Sequence, residues 1–291
     1  MNPVADKDSL VSSLPPRHRG HLVACLGLGA PTGPAEPVTG GFHHRMWRLD
    51  TAGGRVAVKE LAADTDVCSA DVRAHYEATE SAAAAFAERG IPALAALSHA
   101  GNYLHLVEGR AYLVYPWSDG RACAKNAIAD HHIDTVAAIL ARMHGIELRI
   151  PDLDRGAAPP VTADALVELV ELAIRRNVRG AAYLGERLDD LLGVVRLQDR
   201  ALLQLAQQGS VISHGDLDHK NVLWETGGNA LIIDWESARH INPTYETLLE
   251  ALDWSGITAH FEVRPYERFR ARCAAAGGML CADSIPAAFS A

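Results

Sequence analysis

The segment Ser213-His-Gly-Asp-Leu-Asp-His-Lys-Asn-Val-Leu-Trp224, followed by Ile232-Ile-Asp-Trp-Glu236, limits the possible folds of this chain more than any other feature. Apolar Val211-Ile212 precedes the first acidic residue, Val222-Leu-Trp224 follows the asparagine, and Ala230-Leu-Ile-Ile233 forms another short apolar run. Gly227-Gly-Asn229 supplies turn residues between the last two runs. The pattern predicts a strand, a polar loop and then a small hairpin. Such a hairpin returns Asp234 to the side of Asn221.

These residue types suit phosphoryl transfer, where the protein must orient an attacking hydroxyl and hold Mg²⁺ against phosphate oxygens. Asp216 fits the first task, and Asn221 with Asp234 fits the second. Mg²⁺ prefers hard oxygen ligands, keeps several waters and is completed by nucleotide phosphates, so one carboxylate and one amide suffice. The His-Gly-Asp-Leu-x-x-x-Asn-Val-Leu and Ile-Asp-Trp-Glu segments resemble those of the aminoglycoside phosphotransferase and choline kinase superfamily of antibiotic and small-molecule kinases. The resemblance covers residues 37 to about 256. It implies an α+β, two-lobed protein-kinase-like fold: an N-terminal antiparallel sheet with one main helix over residues 1–115, then a mostly helical C-terminal lobe over 116–291.

The N-terminal third carries features of a nucleotide site. Pro37-Val-Thr-Gly-Gly-Phe-His-His-Arg-Met-Trp-Arg-Leu-Asp50 reads as a strand, a glycine turn and a second strand. Gly40 and Gly41 let the backbone approach phosphates closely, and the resemblance adds Phe42 and His43 to the same contact. After a Gly53-Gly54 turn, Arg55-Val-Ala-Val-Lys-Glu60 matches the Val-Ala-x-Lys strand whose lysine meets the α- and β-phosphates. Lys59 then needs a carboxylate from the next helix, expected over 71–89. On a helical wheel Val72, Tyr76, Thr79, Ala83 and Phe86 share one stripe, with Glu80 about 80° from its centre and Glu77 about 140°. Glu80 is the expected partner of Lys59, with Glu77 as the alternative and otherwise in solvent.

Tyr103-Leu-His-Leu-Val and Arg110-Ala-Tyr-Leu-Val-Tyr-Pro-Trp117 flank a Glu-Gly turn and resemble the last two strands of the small lobe. The resemblance places the base of ATP or GTP against Tyr115 and Trp117. Helical spacing over 127–144 ends at Gly145, with His144 read as structural. Two further helical stretches, 162–178 and 183–207, form an insert. Arg175 and Arg179 near the end of the first either meet an anionic group of the acceptor or complement the helix dipole. A proline-led helix from Asn242 follows, with a stripe of Tyr245, Leu248, Leu249 and Leu252. Glu236, Asp253 and Trp254 are candidates for the acceptor pocket and equally suit structural roles. Asp218 stands where related kinases carry a basic residue, and Lys220 is the nearest replacement for that charge. His-Arg-Asp, Asp-Phe-Gly and Ala-Pro-Glu are all missing, so the pattern is not that of a regulated protein kinase.

With 291 residues, 48% of them hydrophobic, the chain can bury a substantial core. Its formal charge is −9, with 17 basic against 24 acidic residues after position 115, which disfavours nucleic acid as a partner. The five scattered cysteines read as free thiols of a cytoplasmic protein. No run is long and apolar enough to span a membrane, and a helix is expected near 22–28. The reaction implied is Mg²⁺-dependent transfer of a γ-phosphate from ATP or GTP to a hydroxyl of a small molecule, by a monomer or homodimer. The loop resembles the antibiotic kinases most. Choline, homoserine or sugar kinases, and a catalytically silent nucleotide binder, are the alternatives.

Overall fold

The computed structural model describes residues 13–38, 43–153, 162–257 and 260–282. In chain order the elements are α1 (Pro16–Cys25), β1 (Glu36–Pro37), β2 (Arg45–Thr51), β3 (Gly54–Glu60), α2 (Ala70–Glu88), β4 (His105–Val107), β5 (Arg110–Pro116), β6 (Arg121–Ala122), α3 (Asp130–His144) and α4 (Ala163–Arg175). They continue with α5 (Ala181–Glu186), α6 (Leu188–Gln207), β7 (Val211–Ser213), β8 (Val222–Trp224), β9 (Ala230–Ile232), β10 (Arg239–Ile241), α7 (Pro243–Trp254) and α8 (Val263–Ala275). The architecture is α+β, as the family resemblance implies. The described residues fall into two compact units, one within 1–122, 150–156 and 221–237, the other within 123–149, 157–220 and 238–291. The sequence-level boundary at 115/116 is continuous, whereas these units are not, because the hairpin after the loop belongs with the first.

The first unit is built on an antiparallel sheet of order β1-β2-β3-β5-β4. The β2–β3 register, Met46 opposite Lys59 and Thr51 opposite Gly54, closes around the glycine turn. Trp47, Leu49, Val56, Val58, Tyr112 and Val114 pack one apolar cluster with Leu22 and Val23 of α1. That helix lies earlier than the expected 22–28 because Pro16 opens it and left-handed Gly27 follows its end. On the other cluster, Ala57, Leu113 and Tyr115 pack with Tyr76 of α2. The Ser69 hydroxyl caps α2, and Tyr76, Thr79, Ala83 and Phe86 are buried as the stripe predicts. A smaller sheet of order β6-β8-β9 contains the expected hairpin. Gly227 and Gly228 turn it with φ of 101° and 81°, values open to glycine without steric cost. Ile232 bonds to Pro92 and Leu94 through the backbone, and the Trp235 ring stacks on Phe86 at 5.3 Å. These contacts tie the end of the hairpin to α2.

The second unit is mainly helical. Helix α3 buries Ile133, Val136, Leu140 and Met143 and ends at Gly145, as the spacing predicts. Arg268 of α8 grips Asp134 of α3 through two bonds of 2.7 and 2.6 Å. The insert is α4, α5 and α6; the expected 183–207 stretch is broken at Arg187, whose φ and ψ are −112° and 14°. Much of the linker read at 151–160 lies outside the described residues. Antiparallel β7 and β10 pair Ser213 with Arg239 and Val211 with Ile241, framing the loop that carries Asp216. Asn242 caps α7 by accepting from Thr244 and Tyr245, and its amide donates to Leu205 and Gly209 at the end of α6. Among the described residues no helix is long and apolar enough to cross a membrane.

Candidate active site

Lys59 sits near the end of β3, and its side chain is only 7% exposed. Its Nζ donates to Asp234 Oδ1 at 2.7 Å and to Glu236 Oε2 at 2.9 Å. Burial alone would lower the ammonium pKa, but the charges of Asp234 and Glu236 outweigh it and hold Lys59 above its usual value. Glu236 also accepts from His44 Nε2 at 3.0 Å, while His44 Nδ1 accepts from the Ala62 amide. Burial pushes the Glu236 carboxyl up; the His44 bond and the Lys59 charge reverse this and bring it down to about 2. The Glu236 carbonyl accepts from His75 of α2. Glu236 therefore stands with the lysine in the first unit, where the sequence reading had made it a candidate for the acceptor pocket.

The hairpin explains how Asp234 reaches this position. Val222 pairs with Ile232, and the Ile233 amide donates to the Asn221 carbonyl at 2.9 Å. Asn221 and the residue before Asp234 are thus held at one hairpin end. Asp234 has φ of 61°, a left-handed conformation uncommon for a residue with a side chain and frequent at functional sites. The two side chains offer hard oxygens, a donor set that fits Mg²⁺ sharing its shell with phosphates. Among the described residues no three His, Cys, Asp or Glu side chains converge on one metal position.

The ion pair expected between Lys59 and Glu80 is not among those of the described residues. Glu80 is buried, with Oε1 accepting from Tyr115 Oη at 2.6 Å and Oε2 from the Ala96 amide at 2.7 Å. Desolvation raises its carboxyl to about 7, against the pull of those two donors. Glu77 is not in solvent either: it accepts from the amides of Tyr103 and Leu104. Both glutamates fasten α2 to the chain that follows it, which leaves Asp234 and Glu236 as the carboxylates on Lys59. Tyr115 is buried through the same bond, while Trp117 is half-buried, donates to Asp119 and carries Arg48 over its ring. Gly40, Gly41 and Phe42 lie outside the described residues. His43 is exposed and sits 3.4 Å from Asp64.

In the second unit, left-handed Gly215 (φ 76°) precedes half-buried Asp216. Three side chains spaced one turn apart on α7 fasten the loop around it. Glu246 Oε1 accepts from the Gly215 amide at 2.8 Å, Glu250 Oε1 accepts from the Leu217 amide at 2.9 Å, and Trp254 Nε1 donates to the Leu217 carbonyl at 2.9 Å. Trp254 is 2% exposed, so it supports the loop and offers no face to an acceptor. His144 of α3 donates to Glu246 at 2.7 Å. Asp218 holds Lys220 Nζ at 2.6 Å and caps the Lys220 amide. Asp253 is half-buried; desolvation, then the charges of Asp218 and Asp216, raise its carboxyl. Arg175 is exposed and bonded to Glu171 of its own helix, and Arg179 is exposed beyond the helix end.

The phosphotransferase enzyme family model matches residues 34–278. The chain belongs to that family. Solved structures agree on a kinase-like fold. A spectinomycin phosphotransferase in complex with ADP and spectinomycin superposes with TM-score 0.64 at 13% identity, over 91% of this chain and 82% of that one. The choline kinase LicA from Streptococcus pneumoniae gives 0.59 at 16%, over 93% and 85%. A macrolide 2'-phosphotransferase from Brachybacterium faecium gives 0.55 at 15%, over 93% and 86%. No curated protein sequence matches the chain.

His44, Glu246 and Glu250 are absent from the sequence-level site. The first sits in a His-His pair that has no metal spacing. The two glutamates fall on α7 outside its aliphatic stripe, where only the i, i+4 spacing could have marked them as one face.

Proposed function

We propose that this family member is a small-molecule O-phosphotransferase that moves the γ-phosphate of ATP or GTP to an acceptor hydroxyl, most favourably on an antibiotic. The observation that carries the reading is Lys59 bonded to Asp234 while the hairpin brings the Asn221 backbone to the residue before Asp234. A lysine for phosphates and a hard-oxygen pair for Mg²⁺ are then part of one compact unit. Asp216 orients the acceptor hydroxyl and takes its proton, Lys59 meets the α- and β-phosphates, and Asn221 with Asp234 would hold Mg²⁺. When bound there the ion would neutralise phosphate oxygens. Glu236 keeps Lys59 charged and, through His44 and His75, fixed in direction. Nucleotide use is supported by the ADP complex of the spectinomycin phosphotransferase.

The preference for an antibiotic rests on the resemblance of the 213–224 loop and the 232–236 segment to the antibiotic kinases. Lys220 compensates Asp218, and the Asp253 carboxyl beside Asp216 adds acidic character that favours an acceptor bearing an amine. The test is a transfer screen of the purified protein with Mg²⁺ and either ATP or GTP against hydroxylated antibiotics, choline, homoserine and sugars, read as the mass gain of one phosphoryl group. A phosphorylated antibiotic supports the reading and names the acceptor. A product on choline, homoserine or a sugar assigns the protein to metabolism instead. Bound nucleotide with no product on any acceptor favours the silent binder.

A further inference from the structure

Helix α7 buries two glutamates on one loop, and among the described residues only one of them has a partner for its charge. Glu246 meets His144 Nε2 with one oxygen and the Gly215 amide with the other. Among the described residues Glu250, 1% exposed, meets only the Leu217 amide, and its Oε2 is buried without a hydrogen-bond partner. Two ionised carboxylates a helical turn apart in a dry interior repel strongly, so one of them keeps its proton. The groups facing Glu250 name which. Glu246 and Asp253 on its own helix and Asp216 on the loop are acidic, His144 of α3 is spent on Glu246, and Cys273 of α8 faces Thr247. No cation faces Glu250 among these.

We propose that Glu250 is a positioning residue that holds the Asp216 loop as a neutral carboxylic acid. Desolvation, followed by the Glu246 charge, raises its pKa well above the usual range, and the Leu217 amide offsets this only in part. Burial likewise opposes the charge on Glu246, but His144 and the Gly215 amide overcome it and hold that carboxyl below its usual value. The consequence falls on Asp216. Its two flanking amides are fixed at Gly215 and Leu217 with one added negative charge in place of two. An ionised Glu250 would set a second buried negative charge beside the Asp216 carboxylate. The importance of this for turnover rests on the reading of Asp216 as the acceptor's base.

The experiment compares Glu250→Gln, which keeps a carbonyl acceptor and no charge, with Glu250→Leu, which removes the acceptor. Amide hydrogen exchange at 215 and 217, melting temperature across about pH 5 to about pH 8, and nucleotide turnover are measured on the full chain. The expected result is that exchange at these two amides in Glu250→Gln stays near wild type, whereas Glu250→Leu speeds it by about tenfold or more. A neutral folded Glu250 makes wild-type folding bind a proton above the ordinary glutamate pKa, so the melting temperature of Glu250→Gln should gain on wild type as pH rises. In turnover, Glu250→Gln should recover most of the kcat that Glu250→Leu loses, with KM for nucleotide alike in both. Fast loop exchange in Glu250→Gln, or a melting-temperature difference that is flat or falls with pH, overturns the proposal. Should Glu250→Leu fail to fold, the Glu250→Gln exchange and pH profile still decide it. A wild type without transfer activity would count against the functional reading alone, since exchange and melting do not depend on it.

Discussion

Asp234 and Glu236 in the first unit keep 39% and 34% of their side-chain surface in water and share one buried ammonium. Glu246 and Glu250 in the second unit are shut away from water and share one short loop. The first pair is arranged as charge, each member compensated by Lys59 and each able to present oxygens outward. The second pair is arranged as scaffold, with one oxygen of each glutamate accepting from a backbone amide of the loop. Unpaired buried amides cost about 1–3 kcal/mol each, so a carboxylate can be kept in a core for its shape as an acceptor. Side-chain identity alone does not separate these uses. The number and kind of donors around each oxygen does.

Breaking the first pair should have the largest effect. Asp234→Asn removes a charge from Lys59 and from the proposed Mg²⁺ site, and phosphoryl transfer should fall by about 10³-fold with the fold intact, checked by turnover and circular dichroism. Retained transfer would mean that Asp234 is not part of the phosphate machinery. In the second pair, Glu246→Ala strands both His144 and the Gly215 amide. Unfolding in urea should show a loss of about 4 kcal/mol. A cost below about 1 kcal/mol would remove Glu246 from the scaffold role.

Glu80 sharpens the contrast, since it lies near the charged pair yet behaves as scaffold. Its folded pKa of about 7 lies above the ordinary glutamate value of 4.5, so the folded state holds a proton that the unfolded state has released. Stability from this group is full below pH 4.5 and declines as pH rises toward about 7. The total decline should be on the order of 3 kcal/mol, and Glu80→Gln should flatten it in urea titrations across that window. Stability that rises through the window would place the ionised form in the fold. The smallest effect is expected at Trp254→Phe, which deletes one bond to Leu217 and keeps the ring's bulk. About 1 kcal/mol of stability should be lost, with KM values for nucleotide and acceptor unmoved; a large rise in acceptor KM would return Trp254 to the acceptor pocket.

The first unit was the more legible in the sequence. Alternating strands, glycine turns and the α2 stripe each answer to a local rule, and the hairpin that returns Asp234 to Asn221 follows from two apolar runs and a Gly-Gly-Asn turn. What stayed hidden there was the partner of Lys59. A wheel reports which residues border a buried face; it does not report that Ala96 and Tyr115 have already claimed both oxygens of Glu80. In the second unit α7 defeats the apolar-stripe rule itself. Its buried face includes Glu246, Thr247 and Glu250, while Tyr245, Leu249 and Leu252 are only half-buried. The demand for acceptors arises from a loop about thirty residues upstream, and no local periodicity encodes it.

The central claim is that Asp216 acts on the acceptor while Lys59, Asn221 and Asp234 serve the nucleotide and its metal. Asp216→Ala separates these tasks. Turnover on the acceptor found in the transfer screen should drop by about 10³-fold, within the range for loss of a general base, while affinity for the nucleotide stays within about twofold of wild type. Unchanged turnover, or loss of nucleotide binding in step with turnover, would contradict the account.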